Sequence, residues 1–98
     1  MQIFKIKDGA TLTIVLEGEL NTNTAPELEK VIKANLSNIN DLVLDFAKLD
    51  YLSSAGLRVL LIAAKIMDSQ GKMIVKNVNQ TIMDIFKMTG FTNILTIE

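Results

Sequence analysis

Apolar residues recur along this 98-residue chain with two spacings, and each change of spacing marks the end of an element. From Gln2 to Lys7 the alternation is weak, with Phe4 and Ile6 set against Lys5 and Lys7. Asp8-Gly9 is a hairpin dipeptide, because Gly accepts positive φ without steric cost. From Ala10 to Gly18 the alternation is clean: Leu12, Ile14 and Leu16 share one face, Thr11, Thr13 and Glu17 the other. The spacing predicts two antiparallel strands.

After Thr24 the period becomes helical. Leu28, Val31, Ile32 and Leu36 line one face while Glu29, Lys30 and Lys33 turn outward. Thr24-Ala25-Pro26-Glu27 has the form of a capping box, with Pro26 in the first turn, where a missing N–H costs little. Leu42 to Phe46 is a short, mostly apolar run that predicts a buried strand. A loop follows, then a helix from Ser53-Ser54 to about Gln70, stopped by Gly71 in a left-handed conformation. Met73 to Val78 reads as a strand. Asn79 opens a third helix with Ile82, Ile85 and Phe86 inward, and Gly90 closes it with Phe91 folded back on Phe86. Asn93 to Ile97 is the last strand. The order β-β-α-β-α-β-α-β predicts an α/β fold in one domain, residues 1–98, with a mixed, mostly parallel sheet and right-handed crossovers.

The middle helix is apolar nearly all round, from Leu57 through Val59, Leu60, Leu61, Ile62, Ala63, Ala64 and Ile66 to Met67. Such a helix is buried on more than one side or offers a face for docking. Met83 and Met88, in the third helix, are either core or a soft docking edge.

Composition narrows the chemistry. Ten basic and eleven acidic residues nearly cancel, so no basic face for nucleic acid is expected. Cysteine and histidine are both absent. Thiolate metal sites, Ser-His-Asp and Cys-His catalysis and the commonest general base go with them. Gly71-Lys72 lacks the glycine that a phosphate-binding P-loop needs, and no dinucleotide fingerprint appears. No enzyme, cofactor or metal centre is expected. The N-terminus has no signal-peptide pattern, and the longest apolar run, Val59 to Ala64, falls far short of the roughly 20 residues that span a bilayer. A soluble, cytoplasmic protein is expected.

What remains is Tyr51-Leu52-Ser53-Ser54-Ala55-Gly56-Leu57-Arg58, small polar residues at the entrance of the most apolar helix. Local chemistry leaves two readings open. Ser53 or Ser54 is a helix cap worth about 1 kcal/mol, with Ala55 and Gly56 small because the first turn packs closely on a neighbour. Alternatively, one serine is a phosphorylation site, since free N–H groups and the helix dipole favour an anion there.

That segment, together with Gly18-Glu19-Leu20-Asn21-Thr22-Asn23-Thr24-Ala25 and Leu42-Val43-Leu44-Asp45-Phe46, resembles the anti-sigma factor antagonists among the STAS (sulphate transporter and anti-sigma antagonist) domains. The resemblance extends over essentially the whole chain. The family's pattern at the helix entrance is Asp-Ser-(Ser, Thr or Ala)-Gly-Leu. Here Ser53 stands at the Asp position, Ser54 at the serine, Ala55 at the small residue, and Gly56-Leu57 complete it. Asn21 stands where the family's Gly-Glu-Leu-Asp loop often has Asp.

The resemblance implies a bacterial partner switch in transcription regulation. Ser54, ahead of Ser53, is the implied phosphorylation site. The implied docking surface is Asn21, Thr22, Asn23 and Thr24 with Ser53, Ser54, Ala55, Gly56, Leu57 and Arg58. The implied partners are an anti-sigma factor that is also a serine kinase, and a serine phosphatase, with no direct nucleic-acid contact and no membrane insertion. Loop Asn21-Thr22-Asn23 is equally readable as a polar turn ahead of Thr24. Arg58, four residues after Ser54, shares its helix face and is a solvated flank, a phosphate contact or a partner contact. The alternative function is a constitutive STAS adaptor in a transporter ATPase or signalling scaffold, with no phosphorylation cycle. Ser53 and Asn21 in place of acids keep it open.

Overall fold

The computed structural model describes residues 1–98. Strand β1 (Gln2–Asp8) turns at Gly9, φ 61°, and pairs antiparallel with β2 (Thr11–Leu20), Lys5 opposite Ile14 and Asp8 opposite Thr11. Helix α1 (Ala25–Asn35) leads to β3 (Asp41–Leu52), α2 (Ser54–Asp68) to β4 (Lys72–Lys76), and α3 (Gln80–Thr89) through a 3₁₀ turn (Phe91–Asn93) to β5 (Thr96–Ile97). The strands lie in the order β1-β2-β3-β4-β5, and every pair after the first is parallel. Each crossover therefore steps one strand in the same direction, and right-handed connections place all three helices on one face. The expected mixed, mostly parallel α/β fold is observed.

That face carries the core. Leu12, Ile14 and Leu16 of β2, Leu42, Leu44 and Phe46 of β3, and Met73 and Val75 of β4 are buried beneath Leu28 and Ile32 of α1, Leu57, Leu60 and Ala63 of α2, and Ile82 and Phe86 of α3. They belong to one cluster of 25 buried apolar residues. The strand register sends Thr13, Val15, Val43 and Ile74 to the opposite face, where they are half-buried. Phe4 and Ile6 on the edge strand continue that face and are 47% and 58% exposed.

In helix α2, Leu57, Val59, Leu60, Ala63, Ala64 and Met67 are buried, while Leu61, Ile62 and Ile66 are half-buried. Its all-round apolarity reflects burial on more than one side. Met83 is half-buried and Met88 is 86% exposed, so neither is core.

Several boundaries differ from expectation, each for a physical reason. Residues 47–52, expected as a loop, continue β3 to a 12-residue strand. The register slips between Val15 and Glu17 and again between Gly18 and Glu19, so the period-two pattern is lost although pairing persists. The same slips let β2 run on to Leu20, with Gly18 at φ 106°. Helix α2 stops at Asp68 and Gly71 is not left-handed. Instead, Gln70 and Gly71 donate their N–H groups to the Met67 carbonyl at 3.0 and 2.7 Å. Gly71 is needed because a Cβ there would overlap the Asn40 carbonyl, which accepts the N–H of Lys72 at 2.8 Å. Strand β4 ends at Lys76 because Asn77 turns left-handed, φ 60°. The final strand shrinks to Thr96–Ile97 because Leu95 donates its N–H back to the Phe91 carbonyl at 2.8 Å, closing a turn.

The third helix is as expected. Asn79 caps it by accepting the N–H of Ile82 at 2.9 Å, Gly90 closes it at φ 81°, and Phe91 stacks on Phe86 with ring centroids 6.4 Å apart.

Gly71→Ala is expected to destabilise the fold by about 1–3 kcal/mol, because backbone must move to admit the methyl group. A shift in urea midpoint at unchanged slope checks this.

Candidate functional site

The continuation of β2 and β3 beyond the register slips decides what meets at their carboxyl ends. Glu19 pairs with Tyr51 and Leu20 with Leu52. The Ser53 N–H then donates to the Leu20 carbonyl at 2.8 Å. The loop after β2 and the first turn of α2 are thereby brought side by side. Loops at the carboxyl ends of adjacent parallel strands are where open α/β sheets place their functional surfaces.

The Asn21–Thr24 loop is held by its own side chains. The Asn21 carboxamide oxygen accepts the N–H groups of Asn23 and Thr24 at 2.9 and 3.1 Å. The Thr24 hydroxyl accepts the N–H of Asn21 at 2.8 Å and donates to the Glu19 carbonyl at 2.8 Å. The expected capping box is therefore not formed. Thr24 occupies the N-cap position of α1, but its hydroxyl faces back into the loop. Asparagine at position 21 suits this turn, because its oxygen accepts two backbone donors without adding charge. Thr22 and Asn23 stand exposed at the tip.

The entrance of α2 is built differently. Ser53 takes the N-cap position in extended conformation, φ −99° and ψ 179°, yet its hydroxyl makes no capping bond. That oxygen is shielded from solvent and has no hydrogen-bond partner. The expected cap is thus missing. Ser54 is the first helical residue and is exposed; Ala55 is half-buried, and Gly56 and Leu57 are buried. A Cβ on Gly56 would stand 2.8 Å from Cγ of Leu20 and 3.2 Å from its carbonyl oxygen. The close approach expected of this turn is therefore onto Leu20.

Arg58 is exposed, but it is not free. Its Nη1 donates to Glu29 Oε1 at 2.9 Å, while Lys33 Nζ donates to Glu29 Oε2 at 2.8 Å. The Lys33 ammonium first, and the Arg58 guanidinium second, hold the Glu29 carboxyl below its ordinary pKa. Periodicity had marked Glu29 only as an outward residue. Its spacing of four from Lys33 signals that pair; nothing local links it to Arg58, 29 positions away.

Two asparagines after β4 fasten the extended part of β3. The Asn77 amide donates to Asp45 Oδ1 at 2.9 Å, which also accepts the Ala47 N–H at 3.0 Å. The Asn79 amide donates to the Leu49 carbonyl at 2.9 Å. The hydrogen bond from Asn77 holds the Asp45 carboxyl below its ordinary pKa; burial opposes it, and the Ala47 N–H and the Lys76 charge add smaller lowering effects. Asp45 is thus tied to strand geometry, and Asp50 stands exposed without a part in it. A hollow of about 410 Å³ beside Met67, Met73 and Leu95 lies at the far end of α2, away from Ser54. No helix is long and apolar enough to cross a membrane.

The family model described as STAS domain matches residues 3–98. This chain belongs to the STAS domain family. A Bordetella bronchiseptica protein described as an anti-sigma factor antagonist, BtrV, is 32% identical, over 99% of this STAS domain and 85% of its own length. The crystal structure of an anti-sigma factor antagonist from Mycobacterium paratuberculosis superposes with a TM-score of 0.89 at 21% identity, covering 98% of this chain and 83% of that one. The phosphorylated form of the Bacillus cell fate determinant SpoIIAA superposes with a TM-score of 0.78 at 18% identity, covering 99% and 91%. The two structural likenesses establish a common fold.

Ser53→Ala is expected to change stability by less than about 0.5 kcal/mol or to raise it, whereas losing a working cap costs about 1 kcal/mol. Urea unfolding separates the two. Asp45→Asn is expected to cost about 1 kcal/mol near neutral pH, through loss of charge-assisted hydrogen bonds. Because the folded-state pKa of Asp45 is lowered, its stabilisation is full above the unfolded pKa and fades as pH falls through the folded one. The gap between wild type and variant, followed by urea midpoint against pH, should therefore close toward acid.

Proposed function

We propose that this STAS domain is an anti-sigma factor antagonist, a binding module whose attachment to an anti-sigma factor kinase is switched by phosphorylation of Ser54. The observation that carries this reading is the exposed hydroxyl of Ser54, first residue of α2, beside the Asn21–Thr24 loop. Whole-length similarity to the antagonist BtrV supports it. In this reading Asn21, Thr22, Asn23 and Thr24, with Ser53, Ser54, Ala55, Gly56, Leu57 and Arg58, form the docking surface. The unphosphorylated domain binds the kinase and so frees the sigma factor that the kinase otherwise holds.

The kinase then transfers the γ-phosphoryl group of a nucleoside triphosphate to Ser54 Oγ. A new P–O bond forms at Oγ, the bond to the β-phosphate oxygen breaks, and the hydroxyl proton passes to a base of the kinase. The product carries about two negative charges and three acceptor oxygens at the centre of the interface. Desolvated against a partner that offers it no counter-charge, a group that keeps net negative charge costs several kcal/mol, enough to release the partner. The helix itself tolerates the change, since its N-terminus favours an anion. A serine phosphatase restores the hydroxyl by hydrolysis. The STAS domain is the substrate of both enzymes and catalyses neither step, working in the bacterial cytoplasm.

The test compares wild type, Ser54→Ala and Ser54→Asp as baits for the host's anti-sigma factor kinase. Wild type and Ser54→Ala are expected to bind it equally, and Ser54→Asp at least 100-fold more weakly. An acid in the first helical turn favours the helix, so unfolding would not explain that loss. Equal binding by all three would refute the switch and leave a constitutive adaptor.

A further inference from the structure

The N-terminus of α2 is electrostatically unfilled. Its first turn has no acidic residue, its N-cap side chain makes no bond, and the Ser53 oxygen beside it is shielded and unpartnered. One turn into the helix stands a cation, Arg58. A cation near the positive end of a helix dipole is unfavourably placed unless an anion joins it. At present that anion comes from another helix: Glu29 of α1, 2.9 Å from Arg58 Nη1.

Three features make this pairing exchangeable. First, the Arg58 side chain is 66% exposed, so little packing fixes it where it is. Secondly, Glu29 holds a second cation, Lys33 at 2.8 Å, and keeps a partner if Arg58 leaves. Thirdly, side chains on a helix lean toward its N-terminus and meet the residue four positions earlier. For Arg58 that residue is Ser54.

We infer that Arg58 is a two-position arm, closed on Glu29 while Ser54 is free and on the phosphate once Ser54 is phosphorylated. This rests on the reading of Ser54 as the phosphorylation site. A phosphate offers a doubly charged acceptor matched to the guanidinium fork, where Glu29 offers a singly charged carboxylate already shared with Lys33. The new phosphate also repels Glu29, which acts in the same direction. Phosphorylation thus alters more than one residue of the docking surface. It opens the ion pair between α1 and α2 and draws a cation over the phosphate, partly neutralising it in the free domain.

The test does not depend on any kinase. Phosphoserine is installed at position 54 of the full chain by codon suppression, in wild type, Arg58→Gln and Glu29→Gln. Phosphorus NMR follows the second ionisation of the phosphate, and carbon NMR follows the Glu29 carboxyl. The phosphate is expected to ionise about half a pH unit lower in wild type than in Arg58→Gln. It should ionise at least as low in Glu29→Gln as in wild type. Glu29 should titrate higher in the phosphorylated wild type than in the unphosphorylated protein, having lost one of its two cations. Identical phosphate titration in wild type and Arg58→Gln would overturn the arm, whatever the phosphoprotein does to its partner. Conversely, a lowered phosphate pKa in a phosphoprotein that still binds the kinase would uphold the arm and remove the switch. Arg58 and Glu29 meet at the surface, so both variants should stay folded; circular dichroism checks this.

Discussion

The site depends on one junction, the hydrogen bond from the Ser53 N–H to the Leu20 carbonyl, with Gly56 packed against the Leu20 side chain. It is the last link of a parallel pairing that survives two register slips. It holds the loop after β2 beside the entrance of α2. With it they form one surface, and the space at Gly56 admits no side chain. Asp45, Asn77 and Asn79 act at a distance on the same junction by fastening the extended half of β3.

The two halves of that surface are satisfied very differently. In the Asn21–Thr24 loop, two side chains meet backbone donors and acceptors locally, and the loop holds its own shape. At α2 the donors of the first turn have no side-chain partner, and a shielded hydroxyl stands unused beside them. A shaped loop next to an unfilled helix end suits a surface that reads a change of charge at its centre. It differs from a ligand pocket, which needs a concave, mostly apolar enclosure. The one sizeable hollow near α2 lies at that helix's other end.

Arg58 joins this surface to the rest of the helical layer. Through Glu29 it ties α2 to α1 beside the candidate switch, and the tie joins an exposed arginine to a half-buried glutamate at the surface. Exposed ion pairs contribute little to stability, typically below about 1 kcal/mol. Their exchange therefore costs the fold little, which is the property a rearranging contact requires.

The class of fold and most elements were legible from the sequence, because burial on one face imposes period two on strands and period 3.6 on helices. Asn79, Gly90 and Phe91 were legible too, since a cap, a left-handed residue and a fold-back each act within a few positions. The candidate site, too, was suggested by the small residues at the helix entrance and their resemblance to a family. Tertiary structure alone decided how they are used. Thr24 and Ser53 have the residue types of caps, yet where their hydroxyls point depends on the strand ends and loop around them. Residues 47–52 look like a loop, because a bulge keeps the pairing while erasing the alternation. Gly71 suggests a left-handed stop, but its reason is the carbonyl of Asn40, on the far side of a helix and a strand. Glu29 and Arg58 meet only because two parallel crossovers lay their helices side by side. Local preference depends on neighbours in the chain, whereas a hydrogen-bond or ion-pair partner is fixed by whatever the completed fold brings within reach.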